Sequence, residues 1–220
     1  YCMLKYYKTS INRYEALKAM GDRSFTTLYY LGVSQYADNW PYGARDNLLE
    51  AHKKNPMDVN VLYYLAKACA RSSWKEEGIA YMNKAFDMVV PTDSMMIRLY
   101  DGLLECYKFH TKADPYEKIE VMKEAYSYTK KYTLFYQIAE IYDYQKDYVN
   151  AVHYYEKYMA LVPKNKQAAL DSEGNPLPNA DTMYQKARRR VEKIKVEDFF
   201  RNGAHDDYFE PKVIRTQTKK

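Results

Sequence analysis

Histidine is the residue of this chain with the widest chemical use, as a base or a metal ligand. Its four copies are dispersed, and none has a cysteine, an aspartate or a second histidine at metal-ligand spacing: His52, His110, His153 and His205. We expect all four to be surface residues. The sequence also lacks a glycine-rich phosphate loop, a zinc-protease motif and a nucleophile elbow. It therefore predicts a protein that is not an enzyme and that has no catalytic residue, metal or cofactor.

The three cysteines offer little reactive chemistry. Cys2, Cys69 and Cys106 are odd in number and show no CxxC spacing, which favours neither a disulfide framework nor a zinc ribbon. We interpret them as free thiols that pack as small hydrophobic side chains. The segment DSEGN, residues 171–175, has its glycine too early for a calcium loop and no bidentate glutamate after it, so it is interpreted as a solvated turn.

A basic run, KARRRVEKIK at residues 186–195, is the remaining feature with a possible chemical role. Such a run could grip the phosphates of nucleic acid or of an anionic membrane surface. The other interpretation is the solvated face of a helix, because Tyr184, Ala187, Val191 and Ile194 place an apolar stripe at helical spacing on its opposite side.

The elements that carry these residues follow from an internal repeat. Residues 28–32 read LYYLG and residues 62–66 read LYYLA, so the same phrase returns after 34 residues, the period of a two-helix solenoid repeat. Ala44, Leu48, Ala51 and Pro56 follow the first phrase, and a similar arrangement returns near residues 139–163. Stacked helix pairs present an extended surface rather than a closed reaction pocket. The pattern therefore predicts a binding scaffold.

Composition is consistent with a folded helical protein. Of 220 residues, 47% are hydrophobic and 29% are charged, with only 7 glycines and 8 prolines. A net charge of +5 is too small to indicate nucleic-acid binding by itself. The 26 tyrosines are unusual; we expect some to wedge helices apart in the core and others to form a contact surface.

The chain is divided by this periodicity into a partial repeat, four further repeats and a C-terminal cap. The predicted segments are a partial N-terminal repeat at 1–23, repeats at 24–57, 58–93, 94–131 (degenerate) and 132–165, a loop at 166–179, a capping helix at 180–202 and an extended tail at 203–220. The chain thus opens inside an earlier repeat, as a fragment of a longer protein would. Export, to the periplasm or beyond, is favoured because processing leaves a trimmed start, although truncation explains that start equally well.

The repeated residues resemble the tetratricopeptide repeat (TPR) family over roughly residues 1–164. The resemblance implies an all-α, right-handed α-α superhelix, a solenoid of helix pairs with a C-terminal capping helix. Small residues such as Gly32 and Ala66 would let the two helices of a pair touch. Gly78 stands where alanine is usual, which we expect to cost helix stability of up to about 1 kcal/mol.

The resemblance also implies a concave groove, lined by the first helix of each pair, that binds an extended or helical peptide. The positions carried over are Thr26, Tyr29, Val33 and Tyr36; Asn60, Tyr63, Lys67 and Arg71; Asp101, Glu105 and Lys108; and Thr133, Tyr136, Glu140 and Tyr144. Plain packing between neighbouring helices is the alternative role for the tyrosines. Lys67 and Arg71 form a lone cationic pair, so we do not expect the clamp for a terminal carboxylate that some members of the family carry.

Two hypotheses for function remain at this point. The first is a non-catalytic protein–protein interaction scaffold that binds a partner peptide in the groove. The alternative is an adaptor that binds nucleic acid or an anionic surface through the basic C-terminal helix. We expect a protein or peptide partner rather than nucleic acid, and no transmembrane segment; the identity of the partner and the oligomeric state are left open.

Overall fold

A computed structural model describes residues 2–168 and 182–202, with side-chain surroundings from residue 6 to residue 200. The described residues form ten α-helices and a short 3-10 turn at Lys164–Lys166. The helices are α1 (Cys2–Ala19), α2 (Phe25–Ala37), α3 (Pro41–Lys54), α4 (Val59–Arg71), α5 (Lys75–Asp87), α6 (Asp93–Phe109), α7 (Pro115–Thr129), α8 (Thr133–Tyr144), α9 (Tyr148–Leu161) and α10 (Met183–Asn202). Most of the predicted loop at 166–179, the tail at 203–220, His205 and the side chain of Cys2 lie outside the described residues.

Helix starts follow from local sequence chemistry. The Ser24 hydroxyl accepts a hydrogen bond from the backbone N–H of Thr27, which satisfies a free donor at the start of α2. Asp58 does the same for α4 through the N–H groups of Asn60 and Val61, at 2.8 and 3.0 Å. Pro41 occupies the first turn of α3, where its missing N–H has no helical partner to lose.

The chain forms two compact units, residues 1–121 and 122–220, and α7 begins in the first and ends in the second. In the first unit α2 packs on α3 and α4 packs on α5. The turns inside these pairs take three residues, 38–40 and 72–74, whereas residues 110–114 connect α6 to α7. The loop of the degenerate repeat is thus two residues longer than the turns of the two preceding pairs.

Gly78 allows α5 to approach α4 closely, a benefit that its cost in helix propensity does not reveal. A Cβ at this position of α5 would lie 2.8 Å from the carbonyl oxygen of Ala66 and 3.1 Å from the backbone nitrogen of Ala70, both on α4. Real Cβ atoms essentially never come as close to a backbone atom as the first of these distances. Gly78 therefore contributes to the helix crossing, which alanine would obstruct.

Helix α4 lies at the centre of the first unit, in contact with α2, α3, α5 and α6. Eight of its side chains are buried, including Leu62, Leu65 and Ala66, which are fully inaccessible. Cys69 and Cys106 are free and buried in this core, as predicted. Burial raises the pKa of both thiols to about 12.

In the second unit α8 packs on α9 and α9 packs on α10. The capping helix presents its predicted apolar stripe to this core, with Ala187, Val191 and Ile194 at most 5% exposed. Tyr184 is half-buried. None of the helices in the described ranges has the combination of length and apolar character that crossing a bilayer requires.

Candidate functional site: the α2–α4–α6 face

The first helices of the first unit share one connected surface, which we call the α2–α4–α6 face. Helix α4 lies between the other two and packs against both. The face consists of Tyr29, Val33 and Tyr36 from α2, Asn60, Tyr63, Tyr64, Lys67 and Arg71 from α4, and Arg98, Asp101, Glu105 and Lys108 from α6. The structure thus brings together most of the predicted groove positions of residues 24–109.

Glu105 is the centre of the polar contacts on this face. Its Oε1 accepts hydrogen bonds from the Tyr36 hydroxyl at 2.6 Å and from Arg71 Nε at 2.6 Å. Its Oε2 lies 3.0 Å from Lys67 Nζ. One carboxylate from α6 is therefore held by three donors from α2 and α4, and both of its oxygens are engaged.

The environment of this cluster favours its charged forms. Partial burial acts to raise the pKa of Glu105, but the hydrogen bonds from Tyr36 and Lys67 and the charges of Lys67 and Arg71 outweigh it, so the pKa lies below its ordinary value. Partial burial acts to lower the pKa of Lys67, and the Glu105 carboxylate reverses this and raises it. The pKa of Tyr36 is raised by burial and by its hydrogen bond to Glu105. At neutral pH the cluster therefore holds two cations, one anion and one neutral phenol.

Arg98 is the second charged feature of the face. Its guanidinium lies 4.4 Å from the centre of the Tyr63 ring and donates a hydrogen bond to Asn60 Oδ1 at 2.8 Å. Within residues 2–168 and 182–202 no carboxylate pairs with it. As defined, the face carries four cationic and two acidic side chains, and this surplus of two positive charges favours an acidic ligand.

Aromatic rings extend the face towards α1. Tyr64 contacts Tyr29, Tyr36 and Tyr63 in edge-to-face geometry, with ring centres 5.3–6.4 Å apart. Tyr29 also contacts Tyr30, which is 48% exposed. Burial is the main cause that raises the pKa of Tyr29 to about 12, so its hydroxyl remains a neutral donor at physiological pH. These tyrosines provide rigid side chains with an apolar ring and a polar hydroxyl, which are common at protein contact surfaces.

Two of the tyrosines predicted to line the groove are buried. Tyr36 and Tyr63 are each only 8% exposed, because α4 packs closely on its neighbours and their rings fill the space between first helices. The alternative of plain packing therefore applies to their rings. Among the other predicted groove positions, Asn60 of the face and Thr26 beside it on α2 are exposed, and Tyr29 and Val33 are half-buried.

The predicted positions on α8 belong to the second unit and form a different environment. The Tyr136 ring packs against Tyr155 and Tyr158, with centres 5.5 and 5.3 Å away. Glu140 is exposed, and Tyr144 is 85% exposed.

Several basic side chains of helix α10 form ion pairs within the second unit. Arg190 donates two hydrogen bonds of 2.6 Å to the Asp143 carboxylate, and Lys195 donates one of 2.7 Å to Glu156. Arg188 pairs with Glu192 one turn along the helix. The solvated face, one of the two interpretations of this run, therefore holds only in part, because Arg190 and Lys195 also pair with acidic residues of α8 and α9. This pairing leaves less free charge for a phosphate ligand.

The histidines of the described residues, His52, His110 and His153, lie at the surface and are half-buried. His110 lies 3.5 Å from Glu76. No group of three or more potential metal ligands occurs in the part of the chain that the structure describes.

Sequence reasoning missed the ion pairs of Glu105 and the contacts of Arg98, although a signal for the first was present. Arg71 and Glu105 are 34 residues apart, which is one repeat period. Residues one period apart occupy equivalent positions on adjacent helices, so opposite charges at this spacing predict an ion pair between repeats.

Comparison with solved structures defines the class of fold. The C-terminal part of a TPR repeat-containing protein from Cytophaga hutchinsonii is similar at a TM-score of 0.65 and 18% identity, covering 89% of this chain and 69% of that one. MamA gives 0.58 and 18%, with 70% and 87% covered, and the TPR protein YrrB gives 0.57 and 12%, with 74% and 81% covered. No family model and no curated protein matches the sequence. The chain has the fold of the TPR proteins, an all-α solenoid of helix pairs.

Proposed function

We propose that this protein is a non-catalytic interaction scaffold that binds an acidic segment of a partner protein on its α2–α4–α6 face. The observation that carries the proposal is the surplus of cationic charge on a face that also holds the half-buried tyrosines Tyr29 and Tyr64. Arg98 supports it most directly, because its guanidinium lies over the Tyr63 ring and has no carboxylate partner among the described residues. YrrB is described as having an unusual peptide-binding site, so a peptide ligand is compatible with this fold.

The alternative, a phosphate-binding role for α10, has less support. Two of its cations are bound to Asp143 and Glu156, and a third is paired within the helix. A phosphate ligand would have to compete with these carboxylates.

Site-specific photo-crosslinking in extract of the source organism tests the scaffold proposal. A benzophenone side chain placed at Thr26 or Asn60, both exposed on α2 and α4, should crosslink to a discrete partner. Lys53 on α3 and Asn83 on α5 are exposed positions away from the face and serve as controls. Peptide mapping should place the crosslinks in a segment rich in aspartate and glutamate.

A charge-reversal variant provides a second test of the scaffold proposal. Arg98→Glu should reduce the crosslinking yield about tenfold, since an attractive charge becomes a repulsive one. Lys53→Glu changes net charge equally and should leave the yield unchanged. Equal crosslinking from the control positions, or an Arg98→Glu variant that captures as well as wild type, would contradict the proposal.

A further inference from the structure

Three donors on two helices converge on one carboxylate that comes from a third helix. We propose that Tyr36, Lys67 and Arg71 form a carboxylate-binding site for the partner segment, and that Glu105 occupies this site as a displaceable self-ligand. The inference rests on the proposed function, because it specifies which group of the partner the face recognises and how access to that group is regulated.

The geometry of the donors fits a carboxylate of any origin. Tyr36 and Arg71 approach one oxygen at 2.6 Å and Lys67 approaches the other at 3.0 Å, so the two oxygens are satisfied separately. The Lys67 ammonium also lies over two tyrosine rings, 5.1 Å from the centre of Tyr36 and 4.9 Å from the centre of Tyr63. These contacts with the rings do not involve Glu105, so they add to the hold on the ammonium independently of it.

Charge and access make an exchange feasible. The site holds two cations for one carboxylate, so it keeps a positive charge that attracts a second anion. The side chains of Lys67, Arg71 and Glu105 retain 15, 30 and 17% of their exposure, so the site is open to solvent on one side. A partner carboxylate can therefore approach while Glu105 is still bound.

A displaced Glu105 has a second position to occupy. Lys108 follows it by three residues on α6 and is exposed. Side chains at this spacing are neighbours on a helix surface, and opposite charges there attract. The carboxylate can thus leave the site without becoming unpaired. The site then exchanges between a state occupied by Glu105 and a state occupied by the partner. The apparent affinity for the partner equals the intrinsic affinity multiplied by the fraction of molecules whose site Glu105 has left.

Removal of the Glu105 carboxylate, which competes with the partner for the site, tests the inference with the full chain. Glu105→Gln should bind a fluorescent carboxylate probe roughly five- to twentyfold more tightly than wild type, because a neutral amide holds the two cations less well. Glu50→Gln is the matched control: Glu50 is also held by an arginine, Arg23, but lies on α3. Lys67→Gln combined with Arg71→Gln, in a chain that keeps Glu105, should abolish binding of the probe.

Two probes separate the possible sources of the carboxylate. One is an amidated peptide of alternating glutamate and glycine, and the other is a glycine–serine peptide with a free C-terminus; an amidated glycine–serine peptide is the neutral reference. Tighter binding of either carboxylate probe to Glu105→Gln supports the inference and identifies the source. Fluorescence anisotropy measures the affinities, with circular dichroism as the check on folding; Glu105→Ala repeats the measurement if Glu105→Gln is unstable.

The inference is overturned if Glu105→Gln and Glu50→Gln bind both carboxylate probes like wild type, or if the double glutamine variant binds them unchanged. That failure is distinguishable from failure of the scaffold proposal. Crosslinks at Asn60 that depend on Arg98 would persist if the face binds its partner without exchanging Glu105. Loss of both results would remove the face as a binding site.

Discussion

Replacement of Gly78 by alanine separates helix propensity from helix packing. Alanine is the better helix former by about 0.5–1 kcal/mol. The added Cβ, however, would lie 2.8 Å from the Ala66 carbonyl oxygen and 3.1 Å from the Ala70 nitrogen. Both are backbone atoms of α4, so neither can move aside by a rotamer change, and α4 and α5 must separate.

Overpacking of this kind costs about 1–3 kcal/mol. Because both close atoms belong to the backbone, we take the upper part of this range, about 2–3 kcal/mol. After subtraction of the gain in propensity, we expect Gly78→Ala to lower the free energy of unfolding by about 1–2.5 kcal/mol. Urea denaturation followed by circular dichroism measures this value, with the change in midpoint compared at constant slope. Ala80→Gly calibrates the propensity term, because Ala80 is exposed on the same helix and should lose about 0.5–1 kcal/mol. A Gly78→Ala variant as stable as wild type, or more stable, would refute the role of this glycine in the crossing.

Three further predictions concern the second unit and Glu105. Ala151→Leu should lower the free energy of unfolding by about 1–3 kcal/mol through overpacking, since Ala151 is fully buried; an unchanged urea midpoint would contradict its place in the core. Arg190→Ala should cost about 1–2 kcal/mol in the same assay by leaving the partly buried Asp143 without its two hydrogen bonds, whereas Arg188→Ala should change little. Because the folded-state pKa of Glu105 is lowered from 4.5, its contribution is fully present above that pH and is lost as pH falls through the lowered value. The stability difference between wild type and Glu105→Gln should therefore shrink as the pH falls below 4.5, and a difference that does not shrink on acidification would exclude this linkage.

Helix positions were predictable from the sequence because they depend on local chemistry. Ser24 and Asp58 cap helices, and Pro41 starts one, for reasons that involve only the next three residues. The 34-residue period then predicts that first helices are neighbours. These two kinds of information suffice for the fold of the helix pairs.

The state of individual groove side chains was not predictable in the same way. Tyr36 donates to Glu105, which lies 69 residues further along the chain, and its burial depends on the closeness of α4. The role of Gly78 was not predictable for the same reason, since it depends on the close approach of backbone atoms of another helix. Composition and spacing identify which face a residue occupies, but the degree of burial depends on interhelical distances that only the folded chain defines.

The central position of α4 has a consequence for folding. Its partners α2, α3, α5 and α6 are all within two places of it along the chain. Contacts of such short sequence separation need only short loops to close, which lowers the entropic barrier and favours rapid folding. The first unit can therefore assemble from α4 outwards as the chain leaves the ribosome, one helix pair at a time, before the C-terminal residues have been synthesised.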